Sequence, residues 1–250
     1  MIARRAVLAG GTLLGLGGCD RLSQAPRMRG VLHKVDVLDR WLQRRMMGQA
    51  LAREYPASAI SRVFRANGST DPANPAYRAL AAAGFSQWRL RVDGLVDHPL
   101  LLSLDDLRGM PARTQITRHD CVEGWSCIGQ WQGVQLRTVL QHARLQPGAR
   151  YVVFHCADTL ERTLDGSGRY YESMDLFDAV HPQTILAYAM NGAPLTIPFG
   201  APLRLRVERQ LGYKMAKYLM RIQVVESFAG IGRGRGGFWE DRGYDWYAGI

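Results

Sequence analysis

The amino-acid sequence predicts an α+β fold. Strand and helix signals alternate without βαβ regularity and no internal repeat is present. The strongest turn signal, Asn191-Gly192, joins two apolar segments as a tight hairpin rather than a crossover. With 250 residues, 47% of them hydrophobic, the chain can bury one large core or two modest ones.

Each element follows from its local pattern. Residues 20–30 read as a tether. Val31 to Arg53 then sets Leu38, Trp41, Leu42, Met46 and Leu51 at helical spacing among arginines, an amphipathic helix able to pack on the domain or lie on a membrane. Asn67 to Pro75 clusters loop formers and is expected to pass over the surface or line a pocket. In WRLRVDG, Trp88, Leu90 and Val92 share one face of a strand. Ser103 and Asp106 are spaced as a capping box for the short helix LDDLRGM. Gln115 to His119 is a strand delivering a cysteine loop, Leu136 to Ala143 is an amphipathic helix, and Tyr151 to Cys156 is an apolar strand. Thr184 to Met190 and Pro194 to Ile197 are the hairpin arms. Leu203 to Val207 and Tyr218 to Val225 are further strands on either side of a turn at Leu211-Gly212-Tyr213.

Residues 1–19 stand apart. Arg4-Arg5 precede the apolar run Ala6 to Leu16, which ends in Leu16-Gly17-Gly18-Cys19. The run is too short to span a bilayer; it resembles a twin-arginine export signal with a lipoprotein cleavage site, the alternatives being a Sec signal with incidental arginines or an uncleaved anchor. The expected location is the periplasm, with Cys19 lipidated and Asp20 beside it favouring retention at the inner membrane. The net charge of +10 is carried by arginine, since lysine occurs only at Lys34, Lys214 and Lys217. Export, the absence of a nucleic-acid motif and the lack of long like-charge runs exclude nucleic acid as the partner. An anionic membrane surface or a phosphate-bearing cofactor accounts better for local positive charge.

Without Cys19, the cysteines are Cys121, Cys127 and Cys156, so at least one stays unpaired in an oxidising compartment. Cys121 lies in TRHDCVEGWS, Thr117 to Ser126, followed by Trp131-Gln132-Gly133-Val134. It is either a thiol that binds a soft metal or a small buried hydrophobe. Zinc on His119, Cys121, Cys127, His155 and Cys156 would lack the close C-x-x-C spacing of structural sites. In Pro202 to Val207, alternation places Arg204 and Arg206 on one face, and Lys214 and Lys217 follow. That face is either a phosphate wall or a solvated edge strand.

The string CVEGWS with its following W-x-G-V resembles the cysteine loop of the sulfite oxidase family of molybdenum enzymes. The resemblance runs from about Phe64 to Ile250 and is closest to small bacterial periplasmic members, methionine-sulfoxide reductases among them. It implies a mixed-sheet single catalytic domain at 64–250, after the signal at 1–19 and the tether and helix at 20–63. It also implies a Mo-molybdopterin cofactor with Cys121 as metal ligand. G-A-P-L-R-L and L-G-Y-K-x-x-K resemble the cofactor segment, which assigns Arg204, Met215, Ala216 and Lys217 to cofactor binding. Cys156 and, in the RANG loop, Arg65 and Asn67 are assigned likewise. Where sulfoxide-reductase relatives have an asparagine before Gly-Ala-Pro, this chain has Phe199, so one polar contact is lost. Tyr170, preferred over Tyr171, resembles the tyrosine that faces the metal's oxo group. Glu123 is either a proton relay two residues from the ligand cysteine or, as preferred, a structural carboxylate capping a following helix.

The resemblance implies two-electron oxygen-atom transfer. The oxidases of the family carry two arginines after the ligand cysteine, whereas here Glu123-Gly124-Trp125-Ser126 follow. A neutral S-oxide or N-oxide, including protein methionine sulfoxide, is therefore the expected substrate. The alternatives are sulfite oxidation, with Arg65 and Arg118 as the anion clamp, and a lipid-anchored binding protein that has lost the metal. No C-x-x-C-H offers a haem, so electrons are expected to pass through an external partner, a membrane cytochrome. The chain ends at Ile250 without room for the oxidases' dimerisation domain, so a monomer is expected.

Overall fold

The fold is carried by two five-stranded sheets. The computed structural model describes Val35, Leu38, residues 40–46 and residues 48–250, so the signal and tether expected at residues 1–30 lie outside it. The chain divides after Ala50 into two units, and the unit Leu51–Ile250 holds every named element. In the other unit residues 40–46 are helical and expose Trp41, Leu42 and Met46. The helix stops short of the Arg53 expected from sequence, since a turn with Gly48 at φ +50° follows it. No helix among the described residues is long and apolar enough to cross a membrane.

The first sheet contains β1 (Leu90–Gly94), β2 (Leu100–Leu102), β5 (Tyr151–Thr159), β6 (Arg169–Asp175) and β10 (Leu219–Val225), in the order β2-β1-β10-β5-β6. Only β1 and β10 pair in parallel, which makes the sheet mixed. The second contains β3 (Ala112–Asp120), β4 (Ser126–Gln135), β7 (Ile185–Met190), β8 (Ala193–Pro194) and β9 (Arg204–Arg206). Its order is β3-β4-β7-β8, with β9 also on β7. Leu90 and Val92 of β1, Val152 to Phe154 of β5, and Ile222 and Val224 of β10 meet Leu203, Leu205 and Val207 in one buried cluster. The helices are α1 (Pro75–Ala82), α2 (Leu104–Gly109), α3 (Leu136–Ala143) and α4 (Leu176–Ala179).

Several expectations hold to the residue. α3 spans Leu136–Ala143 and buries Leu136, Val139, Leu140 and Ala143 in one stripe; each larger side chain contributes about 1.5–3 kcal/mol on burial. Ser103 Oγ accepts from the Asp106 N–H at 3.1 Å, and Asp106 accepts from the Ser103 N–H at 2.8 Å, completing the capping box. Asn191 and Gly192 both take positive φ, as a two-residue hairpin turn between β7 and β8 requires. The elements with no sequence expectation include α1, capped by Asn74, α4, and strands β2, β4 and β6. β4 contains two glycines and lacks clean alternation. One of them, Gly133, lies so close to β7 that a Cβ would sit 2.0 Å from the Leu186 carbonyl oxygen. The W-x-G-V string is thus a packing signal, with Trp131 wholly buried and Gly133 admitting the neighbouring strand.

Candidate cofactor cavity

The cysteine loop is the turn between β3 and β4. The Cys121 N–H donates to the Trp125 carbonyl at 2.9 Å, the Gly124 N–H donates to the Cys121 carbonyl at 3.0 Å, and Gly124 takes φ +83°. Ser126 Oγ donates to Asp120 across the base of the loop. This geometry sets Cys121 on the wall of a cavity also lined by Asn67, Ser69, Asp158, Tyr170, Met215 and Lys217. Burial pushes the Cys121 thiol above its ordinary value, opposed by the backbone N–H groups of Glu123 and Val122 and by the charge of Arg65. A soft metal ion would displace that proton. Glu123 caps no helix, because β4 follows the loop; its carboxylate accepts from Trp125 Nε1 at 2.9 Å.

Lys217 on the lining and Arg204 buried behind it form a cationic group that is incompletely paired. Arg204, 1% exposed, donates through Nη1 to the Phe199 carbonyl at 3.0 Å, while its Nε and Nη2 have no hydrogen-bond partner. Burial first, and Arg206 second, lower its pKa to about 9. Arg206 is neutralised by Glu208 at 2.6 Å. The guanidiniums of Arg204 and Arg206 stand 4.8 and 4.3 Å from the Trp131 ring centroid. Such contacts contribute about 0.5–2 kcal/mol and do not replace a counter-anion. Lys217 donates to the carbonyls of Asn67, Ser69 and Pro198 and makes no ion pair among the described residues. Burial, then Arg204, lower its pKa to about 7. Gly200, at φ +100°, keeps the approach narrow, since a Cβ there would come within 3.0 Å of the Lys217 stem. Two buried cations without an ion pair among the described residues are costly by themselves and suited to an anion. A phosphate-bearing pterin whose metal takes the Cys121 sulfur fits this donor set.

The structure brings together Cys121, Asn67, Tyr170, Met215 and Lys217 on the cavity lining. Cys156, Arg204 and Ala216 are buried behind it. Burial, then Asp158, raise the Cys156 thiol well above its ordinary value. Tyr171 turns away from the cavity and donates to Asp241 at 2.7 Å. The single hydroxyl proton of Tyr170 is given to the Tyr213 carbonyl, so as placed this hydroxyl is an acceptor toward the cavity. Arg65 is exposed, with its guanidinium 5.3 Å from the Trp125 ring centroid. Arg118 is not brought to the lining: alternation on β3 turns it outward, where it pairs with Asp120 at 2.9 Å. Phe199 packs its ring edge-on to Phe64 at 5.9 Å and leaves only its carbonyl to Arg204.

The sequence presents His119 only as a zinc ligand and gives no role to several other groups. His119, fully buried on the inward face of β3, has Nδ1 3.0 Å from Arg206 Nη1, which makes Nδ1 the acceptor. Burial, then Arg206 and Arg204, depress its pKa to about 2, so the ring is neutral. Asp158 and the lining aromatics Tyr213, Trp239 and Tyr244 were also missed. Lys214 does not share the cationic wall. It is 1% exposed and held between Glu172 and Glu240.

The family described as oxidoreductase molybdopterin binding domain matches residues 78–229. A putative protein-methionine-sulfoxide reductase subunit YedZ1 of Azospira oryzae is 40% identical over 204 residues, covering 80% of this chain and 68% of the relative. The protein-methionine-sulfoxide reductase catalytic subunit MsrP of Xanthomonas campestris pv. campestris is 37% identical over 163 residues, covering 63% of this chain and 50% of that protein. The chain thus spans about half the length of the Xanthomonas relative. In fold it is similar to the sulfane dehydrogenase SoxCD of Paracoccus pantotrophus, with TM-score 0.50 and 20% identity over 72% of this chain and 46% of that one. A cysteine loop facing buried, unneutralised cations and a family match across most of the domain lead to one conclusion: the chain belongs to the sulfite oxidase family of molybdopterin-binding oxidoreductases.

Proposed function

We propose that this molybdopterin oxidoreductase reduces a neutral S-oxide or N-oxide by two-electron oxygen-atom transfer, with methionine sulfoxide as the leading substrate. The observation that carries this reading is the lining of the cavity: beside Cys121 stand Glu123 and Asp158, and no arginine is among the described lining residues. A sulfite dianion would meet the Glu123 carboxylate, with Lys217 the one basic side chain among the described lining residues, whereas an uncharged oxide avoids both the repulsion and the desolvation cost. The aromatic and apolar lining residues Leu160, Trp239 and Tyr244 offer contact surface for a thioether. The names of the Azospira and Xanthomonas relatives support the same substrate class.

In this reading Cys121 ligates the molybdenum, Arg204 and Lys217 hold the cofactor's phosphate, and Asn67, Cys156, Met215 and Ala216 surround the pterin. When bound, the cofactor supplies the two-electron couple and the site at which an oxygen atom is exchanged. The residues of the chain exclude water, orient the oxide and set the local charge. The signal-like residues 1–19 support a periplasmic protein tethered through a lipidated Cys19. In this reading the protein works as a monomer with an external electron donor such as a membrane cytochrome. The test uses holoenzyme with reduced viologen as donor and methionine sulfoxide, dimethyl sulfoxide and trimethylamine N-oxide as acceptors, with sulfite oxidation measured separately against ferricyanide. Reductase turnover that is lost in Cys121→Ser is expected. Rapid sulfite oxidation without reductase turnover would overturn the substrate assignment.

A further inference from the structure

We infer that Asp158 is the internal acid of the cavity, giving a proton to the oxygen that leaves the substrate. The inference rests on the oxide-reductase reading above and gives a role in the reaction to a residue that the reading places only on the lining. Asp158 follows the apolar run of β5 and lines the cavity with Cys121, Tyr170 and Lys217. It is 4% exposed, and its Oδ1 has no hydrogen-bond partner. A buried carboxylate is ordinarily neutralised by an ion pair. Here no ion pair is formed among the described residues, because the nearby ammonium of Lys217 spends its three protons on the carbonyls of Asn67, Ser69 and Pro198. The carboxyl is therefore most stable protonated, with one oxygen left without a partner at the cavity lining.

The groups whose charge reaches Asp158 are Lys217 and Tyr218 beside β10, Tyr77 of α1, Cys156 of the same strand and Tyr170 of β6. Of these only Lys217 is cationic. Burial outweighs it and raises the pKa of Asp158 to about 7, a value matched to proton transfer near neutrality. Of the neighbouring lining groups, Glu123 is tied to the Trp125 indole, the Tyr170 proton is committed to the Tyr213 carbonyl, and the Lys217 protons are committed to the carbonyls of Asn67, Ser69 and Pro198.

Reduction of a sulfoxide to its thioether and water breaks the sulfur–oxygen bond and takes up two electrons and two protons. The electrons come from the external donor by way of the cofactor. One proton comes from the Asp158 carboxyl and the other from solvent; the Asp158 carboxylate is then reprotonated from solvent through the cavity mouth. In the reverse sense, oxidation of the thioether, the same carboxylate accepts the proton.

The test compares holoenzyme with Asp158→Asn, which keeps size and polarity but removes the acid, and with Asp158→Glu, which restores one. Three quantities are measured: molybdenum content, the pH profile of viologen-driven reduction, and the infrared stretch of a protonated buried carboxyl in the resting protein. The expected results are unchanged molybdenum, a fall in kcat of at least about tenfold with little change in KM, and loss of the limb of the profile near pH 7. The protonated-carboxyl band should also disappear, and Asp158→Glu should recover part of the rate. A wild-type profile in Asp158→Asn, or no carboxyl band in the native protein at neutral pH, would overturn the proposal. Loss of molybdenum from Asp158→Asn would overturn it too, reassigning the carboxyl to cofactor retention. Native holoenzyme that carries molybdenum and the carboxyl band yet reduces no oxide would instead show that the substrate reading has failed.

Discussion

Lys214 and Lys217 stand three residues apart in one short segment, and their surroundings give them opposite characters. Lys214 is 1% exposed, clasped by Glu172 and Glu240, and the attraction of those two carboxylates outweighs burial so that its pKa is raised. Lys217 is 6% exposed, bonded only to carbonyl oxygens, and its pKa is lowered to about 7. One lysine is complete within the protein; the other waits for an anion. Buried charge alone therefore does not mark a functional group. The partner that the fold withholds does so.

The two lysines should differ sharply in what their loss costs. Lys214→Met leaves Glu172 and Glu240 buried against each other, and removing one member of a buried ionic cluster costs about 3–5 kcal/mol. Urea denaturation of the metal-free protein should show that loss. Lys217→Met should cost less, since only neutral carbonyls lose a donor, while cofactor retention falls sharply. Equal losses in the two variants would break the distinction.

pH sharpens it further. Lys217 has a folded pKa of about 7, below its ordinary 10.5, so between these values the folded state binds fewer protons than the unfolded one and stability rises with pH. Asp158 has a folded pKa of about 7, above its ordinary 3.8, so in that lower window the folded state holds the extra proton and stability falls as pH rises. Together they place a minimum in their contribution near pH 7 in the metal-free protein. Denaturation at pH 5, 7 and 9 should show it, with Asp158→Asn removing the fall from 5 to 7 and Lys217→Met removing the rise from 7 to 9. The smallest effect is expected at Arg118. Its half-exposed pair with Asp120 contributes about 0–1 kcal/mol, and Arg118→Ala should leave metal content and turnover near native, because the side chain is off the lining.

What the sequence made legible was local. The capping box at Ser103, the stripe of α3 and the Asn191-Gly192 turn depend on residues near one another, and each stands where its pattern placed it. Cys121 could be singled out because its neighbours form a recognisable loop. The characters of Asp158, His119 and the Lys214 cluster could not be read, since they depend on surroundings distant in sequence: burial without an ion pair for Asp158, Arg206 for His119, and Glu172 with Glu240 for Lys214. Alternation correctly put Arg204 and Arg206 on one face, yet only the fold shows that Glu208 neutralises the second and leaves the first unpaired. Arg118, next to His119 on β3, is turned outward by the same alternation.

The central claim is that the unneutralised cations of the wall, Arg204 and Lys217, are built for the phosphate of the cofactor. Its most direct test is the molybdenum and pterin content of native protein and of the Arg204→Ala/Lys217→Ala variant, both purified folded from a host that inserts the cofactor. A loaded native protein and a folded variant largely free of both are expected, because each lost charge-assisted bond to a buried phosphate removes about 1.5–3 kcal/mol. Equal molybdenum and pterin in the two proteins would contradict the claim.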